Sequence, residues 1–199
     1  MNCFLDKLSD DILNDCENMS ISGIEADVIL IPHSAVDKSA STINTENRML
    51  LDSLTLKSGE TGYKLEGVKQ LNGYNYEFVP GDENTLDKWR HVFSGVILAP
   101  DADNRLQASK LSKGESYIVV VNKKYKGANS EASFLVLGWD AGLYITEMTE
   151  NSKENDAMIN FTLSSKDNFL EKDMPRLVLE ADYDTTLTAF NNKFAAGGV

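Results

Sequence analysis

The stretch KWRHVFSGVILAPDADNRLQASKLSKGESYIVVV, residues 88–121, carries the reading on which the fold turns. Trp89, His91 and Phe93 occupy alternate positions and lead into Val96-Ile97-Leu98, the two-residue period of a β-strand from Lys88 to Leu98. Pro100-Asp101 then opens a helix over 102–112, with Asp101 as N-cap, Leu106 and Leu111 facing inward and Gly114 as the stop. Tyr117 to Val121 is apolar throughout, the pattern of a strand buried on both faces. Strand, helix and strand in succession predict a helix packed across a sheet whose central strands are buried.

Alternation continues on both sides of this block. Upstream, Ile24, Ala26, Val28 and Leu30 alternate with polar neighbours in a strand that Gly23 opens and Pro32 closes. Further strands are expected at Leu50 to Lys57, Tyr63 to Lys69 and Tyr74 to Val79, separated by the turn signals Ser58-Gly59, Asn72-Gly73 and Pro80-Gly81, which together predict an antiparallel meander. Downstream follow Phe134 to Trp139, Leu143 to Met148, Ala157 to Ser164 and Arg176 to Glu180, then a polar, Thr-rich end. Residues 2–17 read as a short amphipathic helix, with Cys16 on an apolar stripe shared with Phe4, Leu5, Leu8, Ile12 and Leu13. Residues 33–47 are rich in Ser, Thr, Asn, Asp and Lys and read as an extended loop or arm. Nine or ten strands against two helices predict a mostly β, α+β chain: one domain over 1–199, a sandwich or barrel with one flanking helix, an N-terminal segment 1–22 and the loop 33–47.

Composition narrows the function classes. With 199 residues, 42% of them hydrophobic, the chain can build a large core, and no repeat or low-complexity run is present. No apolar run approaches the roughly 20 residues of a membrane helix, and the N-terminus meets acidic residues at once, so synthesis in a cytosol and no membrane association are expected. The net charge of −12 repels polyanions and disfavours nucleic-acid binding; the basic cluster Lys123, Lys124 and Lys126 reads as a solvated turn.

Chemistry is sparse. Cys3 and Cys16 lack zinc-ligand spacing and read as plain thiols. Asp101-Ala-Asp-Asn-Arg105 resembles the opening of a calcium loop, but Arg105 stands at a ligand position and Leu106 at the glycine position, leaving a helix cap. His91, between Trp89 and Phe93, and His33, after Pro32, read as packed or turn residues rather than general bases. Carboxylate pairs such as Asp10-Asp11, Asp82-Glu83 and Asp182 with Asp184 are too common in so acidic a chain to mark a site. No enzyme activity, metal or cofactor is expected.

The segment FLVLGWDAGLYITEM at 134–148, followed after a spacer by MINFTLSS at 158–165, resembles the C-terminal part of virion structural proteins from tailed phages of gut Bacteroidetes, the crAss-like phages. The block from Trp89 to Val121 is similar in order, as is Asp15-Cys16 ahead of Gly23-Ile24; segment 33–47 and the C-terminal tail depart from the pattern. The resemblance implies a tail-tube-like fold and a non-enzymatic ring of the tail or neck forming part of the DNA channel. It further implies a virion location after synthesis in the host bacterial cytoplasm. The partners implied are copies of the chain in a homo-oligomeric ring and adjacent virion proteins such as the portal and other ring or tail proteins, without sequence-specific nucleic acid. Gly138, Trp139, Gly142 and Tyr144 are the candidate assembly residues: a strand end, a turn and a core tryptophan, or a close contact between subunits. The alternatives are a β-sandwich carbohydrate- or receptor-binding module and a small hydrolase using acidic residues.

Overall fold

The computed structural model describes residues 8–13, 15–67, 71–153 and 155–195. Eleven strands and two α-helices are present among them: β1 (Ile24–Pro32), β2 (Thr42–Ile43), β3 (Leu50–Ser53), β4 (Tyr63–Leu65), β5 (Gly73–Val79), β6 (Lys88–Ile97), α1 (Ala102–Leu111), β7 (Tyr117–Lys123), β8 (Phe134–Leu137), β9 (Tyr144–Glu150), β10 (Ile159–Ser164), β11 (Arg176–Val178) and α2 (Tyr183–Asn191). The chain is mostly β, as its alternating patterns imply. Neither helix is long and apolar enough to cross a membrane.

The strands form two sheets, a seven-stranded one ordered β2-β3-β11-β8-β7-β1-β4 and a four-stranded one ordered β5-β6-β10-β9. Both are open, so the result is a sandwich and not a closed barrel. The larger sheet is the middle layer. On one face Ile29, Ile31, Ile118, Val120, Phe134 and Val136 pack with Val36, Leu54, Leu56 and, from α2 and its end, Phe190 and Phe194. On the other, Val28, Leu30, Val119, Val121, Leu135 and Leu137 meet Phe93 of β6 and Phe161 and Leu163 of β10. This explains why β7 is apolar at every position from 118 to 121: residues 118 and 120 point into one core and 119 and 121 into the other, and all four are fully buried.

Strand pairing departs from the expected meander. β3 pairs with β2 and, in parallel, with β11; β4 pairs with β1; β5 pairs with β6. Turn residues reverse the chain locally, but the partner is chosen by which apolar face can be buried, and β3, β4 and β5, the strands of the expected meander, do not pair with one another. α1 likewise does not bridge two strands of one sheet, since β6 lies in the small sheet and β7 in the large one. Only Ala108 and Leu111 of α1 are buried and Leu106 is 52% exposed, too small an apolar face to cover a sheet. Its cap is as read: the Asp101 side chain accepts from the Asn104 backbone N–H at 2.8 Å.

The second helix is C-terminal rather than N-terminal. The Thr-rich end folds as α2, with Asp182 capping the Thr185 N–H at 2.7 Å and the Phe190 ring tilted against Phe134 with centroids 5.4 Å apart. The described part of the expected 2–17 helix, residues 8–13 and 15–17, is not helical, and residues 1–7 and 14 lie outside the described residues. The Asp15 carboxylate accepts from the backbone N–H groups of Glu17 and Asn18, a local turn that competes with helix, and Leu8, Ile12 and Leu13 are exposed rather than packed on other described residues. Cys16 is a free, exposed thiol and not part of a packed stripe. The 33–47 segment folds onto the body: Ala35 and Val36 are buried, Val36 bridges to Leu56, and Asp37 caps Ser39 and Ala40. It is therefore a packed loop and no free arm.

Candidate functional site

The four candidate residues sit where the chain crosses from the large sheet to the small one, between β8 and β9. Gly138 and Gly142 have φ of +75° and +79°, and the Gly142 N–H closes the turn on the Gly138 carbonyl at 3.1 Å. A Cβ on Gly138 would stand 2.8 Å from Leu143 Cγ and 2.9 Å from the Tyr117 carbonyl; one on Gly142 would stand 2.7 Å from Ser116 Cβ. The close approach these glycines permit is therefore within their own chain.

Trp139 is 5% exposed and belongs to the core on the α2 face, with Lys38 Nζ 5.4 Å from its ring centroid. Its carbonyl accepts from Lys38 Nζ at 2.6 Å and His33 Nε2 at 3.3 Å. Of the two readings of this residue, the structure places it as a core tryptophan. Tyr144, at the start of β9, is half-buried, with Lys166 Nζ 3.8 Å from its ring centroid.

The turn is held from below by a carboxylate. Glu171 is buried, and its oxygens accept from three successive backbone N–H groups: Asp140 at 2.7 Å, Ala141 at 2.9 Å and Gly142 at 3.1 Å. Burial raises the carboxyl's pKa, and these donors oppose the rise. The Glu171 main chain pairs with Trp89 through two bonds of 2.9 Å, so one residue clamps the large-sheet turn to β6 of the small sheet.

His91 makes the second tie. Its Nδ1 accepts from the Gly138 N–H at 3.2 Å and its Nε2 donates to the Asp173 carbonyl at 3.0 Å. Both ring nitrogens are thus used, and burial depresses the pKa to about 4. A neutral imidazole with no free nitrogen positions backbone and does not transfer protons. Arg176 completes the cluster, with one terminal nitrogen 3.5 Å from Asp173 and 3.7 Å from Asp140.

The sequence pattern points to the turn through its glycine spacing and to His91 as a packed residue. It does not point to Glu171, Arg176 or Asp173, because a lone acid in a mixed-charge loop has no signature until the fold brings it beneath a turn. Among the described residues no group of three or more His, Cys, Asp and Glu side chains is placed to hold a metal. Asp82 caps a turn at Asn84 and Asp182 caps α2, which accounts for two members of the carboxylate pairs structurally.

A separate depression of about 420 Å³ lies on the small sheet, lined by Arg90, Thr146, Ser164, Ser165, Lys166 and Phe169 among others. Arg90 is already committed there, to Glu77 at 3.2 Å and Asp167 at 2.6 Å.

No protein-family model matches this chain, and neither a curated protein nor a solved structure does.

Proposed function

We propose that this chain is a non-enzymatic structural subunit that joins copies of itself into a closed ring, of the kind that forms the tail or neck of a phage particle with adjacent virion proteins. The observation that supports it most is the four-stranded sheet. Its edges, β5 and β9, are seven residues each, and neither outer rim is hydrogen-bonded to another described strand. Open edges of that length are templates for pairing with another chain.

Direction favours a head-to-tail join. Each neighbouring pair in β5-β6-β10-β9 is antiparallel, so β5 and β9 run in opposite senses. When β9 of one copy meets β5 of the next, the antiparallel order continues without a break. Such a contact uses two different surfaces and closes into a ring when the rotation permits.

The outward face of that sheet suits a channel. Cross-strand partners there include Asn75 and Val92, Ser94 with Thr162 and Glu147, and Val96 with Asn160 and Thr149. Apart from the acid Glu147 these are small polar or apolar side chains, and of the cations on the same face Lys88 lies at its margin and Arg90 is held by two acids. With a net charge of −12, such a wall gives DNA phosphates few cations to displace counterions onto.

Mass photometry and negative-stain images test the reading: particles of one fixed multiple of the 22.0 kDa chain are expected, alone or with an adjacent virion protein. The Asn75→Lys, Thr149→Lys double variant places like charges on the two exposed rims and should weaken assembly at least tenfold without changing the melting temperature. A chain that stays monomeric in the presence of its virion neighbours sinks the ring.

The second reading, a carbohydrate- or receptor-binding module, draws on the depression lined by Phe169, a residue 57% exposed, together with polar groups. Glycan-array binding by a monomer, lost on Phe169→Ala, would favour it.

A further inference from the structure

The two rims of the small sheet carry their polar side chains in complementary order. On β5, Asn75 and Glu77 point away from the large sheet, since they pair with Val92 and Arg90 on the outer side of β6. On β9, Thr149, Glu147 and Tyr144 point the same way, opposite Asn160, Thr162 and Ser164 of β10. An irregularity at Thr162 leaves Thr146 as an extra residue beside Glu147, so Glu147 and Tyr144 take successive outward positions although they are three apart in sequence.

Most of these groups have spare capacity. Among the described residues the side chains of Asn75 and Glu147 make no hydrogen bond, and both residues are exposed. Exposed Lys166 reaches over β9, its ammonium 3.8 Å from the Tyr144 ring centroid, and meets no carboxylate among the described residues. Glu77 is bonded to Arg90 at 3.2 Å, yet its side chain is 58% exposed. One rim therefore offers an amide and then a carboxylate at successive outward positions. The other offers a carboxylate and then a tyrosine with an ammonium above it, at the same spacing.

The pleat and the charges together select a register. Tyr74, Tyr76 and Phe78 of β5 and Met148 and Ile145 of β9 lie on the core side of the sheet, and a slip of one residue would turn Met148 outward. With Met148 of one copy opposite Tyr76 of the next, Glu147 faces Glu77, and Lys166 is carried toward Lys88, the β6 partner of Val79; like charges meet twice. With Met148 opposite Phe78, Ile145 runs past the end of β5 and much of the rim stays open. With Met148 opposite Tyr74, the Asn75 amide can donate to the Glu147 carboxylate, Tyr144 and its ammonium stand against Glu77, and Ile145 covers Tyr76, which is 40% exposed in the single chain.

We propose that Lys166 of one copy closes on Glu77 of the next, across a β9–β5 seam in which Tyr144 stands opposite Glu77 and Met148 opposite Tyr74. This deepens the edge-pairing reading and rests on it.

A charge swap in the full-length chain tests the pair. Glu77→Lys and Lys166→Glu should each weaken self-association about tenfold in sedimentation velocity, and the two together should bring it back to within about threefold of the parent. Recovery separates the seam from a defect inside one chain: Glu77→Lys also loses Arg90, and position 166 reaches the far rim, three strand spacings or roughly 14 Å away, where it does not repair that loss. Cysteine pairs in chain carrying Cys3→Ser and Cys16→Ser measure the register. Tyr74→Cys with Met148→Cys should give a ladder of covalent oligomers on mild oxidation, because the two rims of one chain are too far apart to bridge, whereas Tyr76→Cys with Met148→Cys should not. Single charge variants that associate like the parent, a double variant no better than the singles, or a ladder from the Tyr76 pair instead, overturn this seam while edge pairing stands. A parent chain that stays monomeric beside its virion neighbours overturns both.

Discussion

The two sheets differ in how much of them is spoken for. The seven-stranded sheet is covered on both faces, by α2 and the 33–57 region on one side and the small sheet on the other, so its central strand is apolar throughout. The four-stranded sheet is covered on one face only, and its longest strand, β6, alternates buried and accessible residues along most of its length. The large sheet accordingly stores the stability, while the small sheet keeps one face and two long rims for other molecules. Division of labour of this sort is visible in burial alone, before any partner is known.

Substitutions can sharpen or break the contrast. Phe134→Ala, which removes a fully buried ring stacked near Tyr183 and Phe190, should cost about 3–5 kcal/mol in chemical denaturation, and Trp139→Ala should fall in the same range. If Trp139→Ala instead leaves stability unchanged and stops assembly, the tryptophan belongs to an interface and the turn to the small sheet's free surface.

The tie between the sheets should appear as pH dependence. Folded His91 has its pKa depressed from 6.5 to about 4, so between those values the unfolded chain binds more protons and stability rises with pH. The His91 contribution is therefore full above about pH 6.5 and lost progressively as pH falls toward 4, a difference of about 3 kcal/mol at 1.36 kcal/mol per pH unit. Glu171 acts with the opposite sign: its raised pKa makes its contribution greatest below 4.5 and lost as pH rises through the folded value. Comparing denaturation of the parent and His91→Asn from pH 4 to 7.5 isolates the histidine; parallel curves would mean that the imidazole does not bind the sheets together.

A smaller effect is expected at the foot of α2. Thr186 is fully buried, and its hydroxyl accepts from the Glu180 N–H at 2.8 Å and donates to the Asp182 carbonyl at 2.8 Å. Thr186→Val keeps the shape but orphans those groups, so a loss of about 1–3 kcal/mol should follow in thermal or urea unfolding. The smallest effect belongs to the small sheet's open face: Thr162→Val should stay within about 0.5 kcal/mol of the parent. A large loss there would show that this face is covered after all.

Much of this architecture is legible residue by residue. The strands at 24–32, 73–79, 88–97 and 117–123 follow from period-two alternation or an unbroken apolar run, and Asp101 announces α1. What the residues do not disclose is pairing. Leu50 and Leu177 stand side by side in a parallel bridge although nothing local links them, and Tyr63 turns to β1 instead of to its sequence neighbours. α2 escapes notice because its threonines are poor helix formers, and the signal that outweighs them, Asp182 as cap with Tyr183, Leu187 and Phe190 on one side, depends on a core to receive it. At the turn, Gly138 and Gly142 are readable as punctuation, whereas Glu171 becomes its anchor only through the strand register that carries it beneath three amides. The N-terminal segment errs the other way: its helical spacing is genuine, but among the described residues Leu8, Ile12 and Leu13 stay exposed.

The parallel bridge between β3 and β11 has a consequence in time. It joins residues near position 50 to residues near position 177, so the β2–β3 margin of the large sheet has no partner until most of the polypeptide has left the ribosome. Closing so long a loop is entropically costly and slow. During synthesis Leu51, later among the most deeply buried side chains, waits uncovered, and nascent chains crowded on one messenger RNA would be most prone to tangle at that strand.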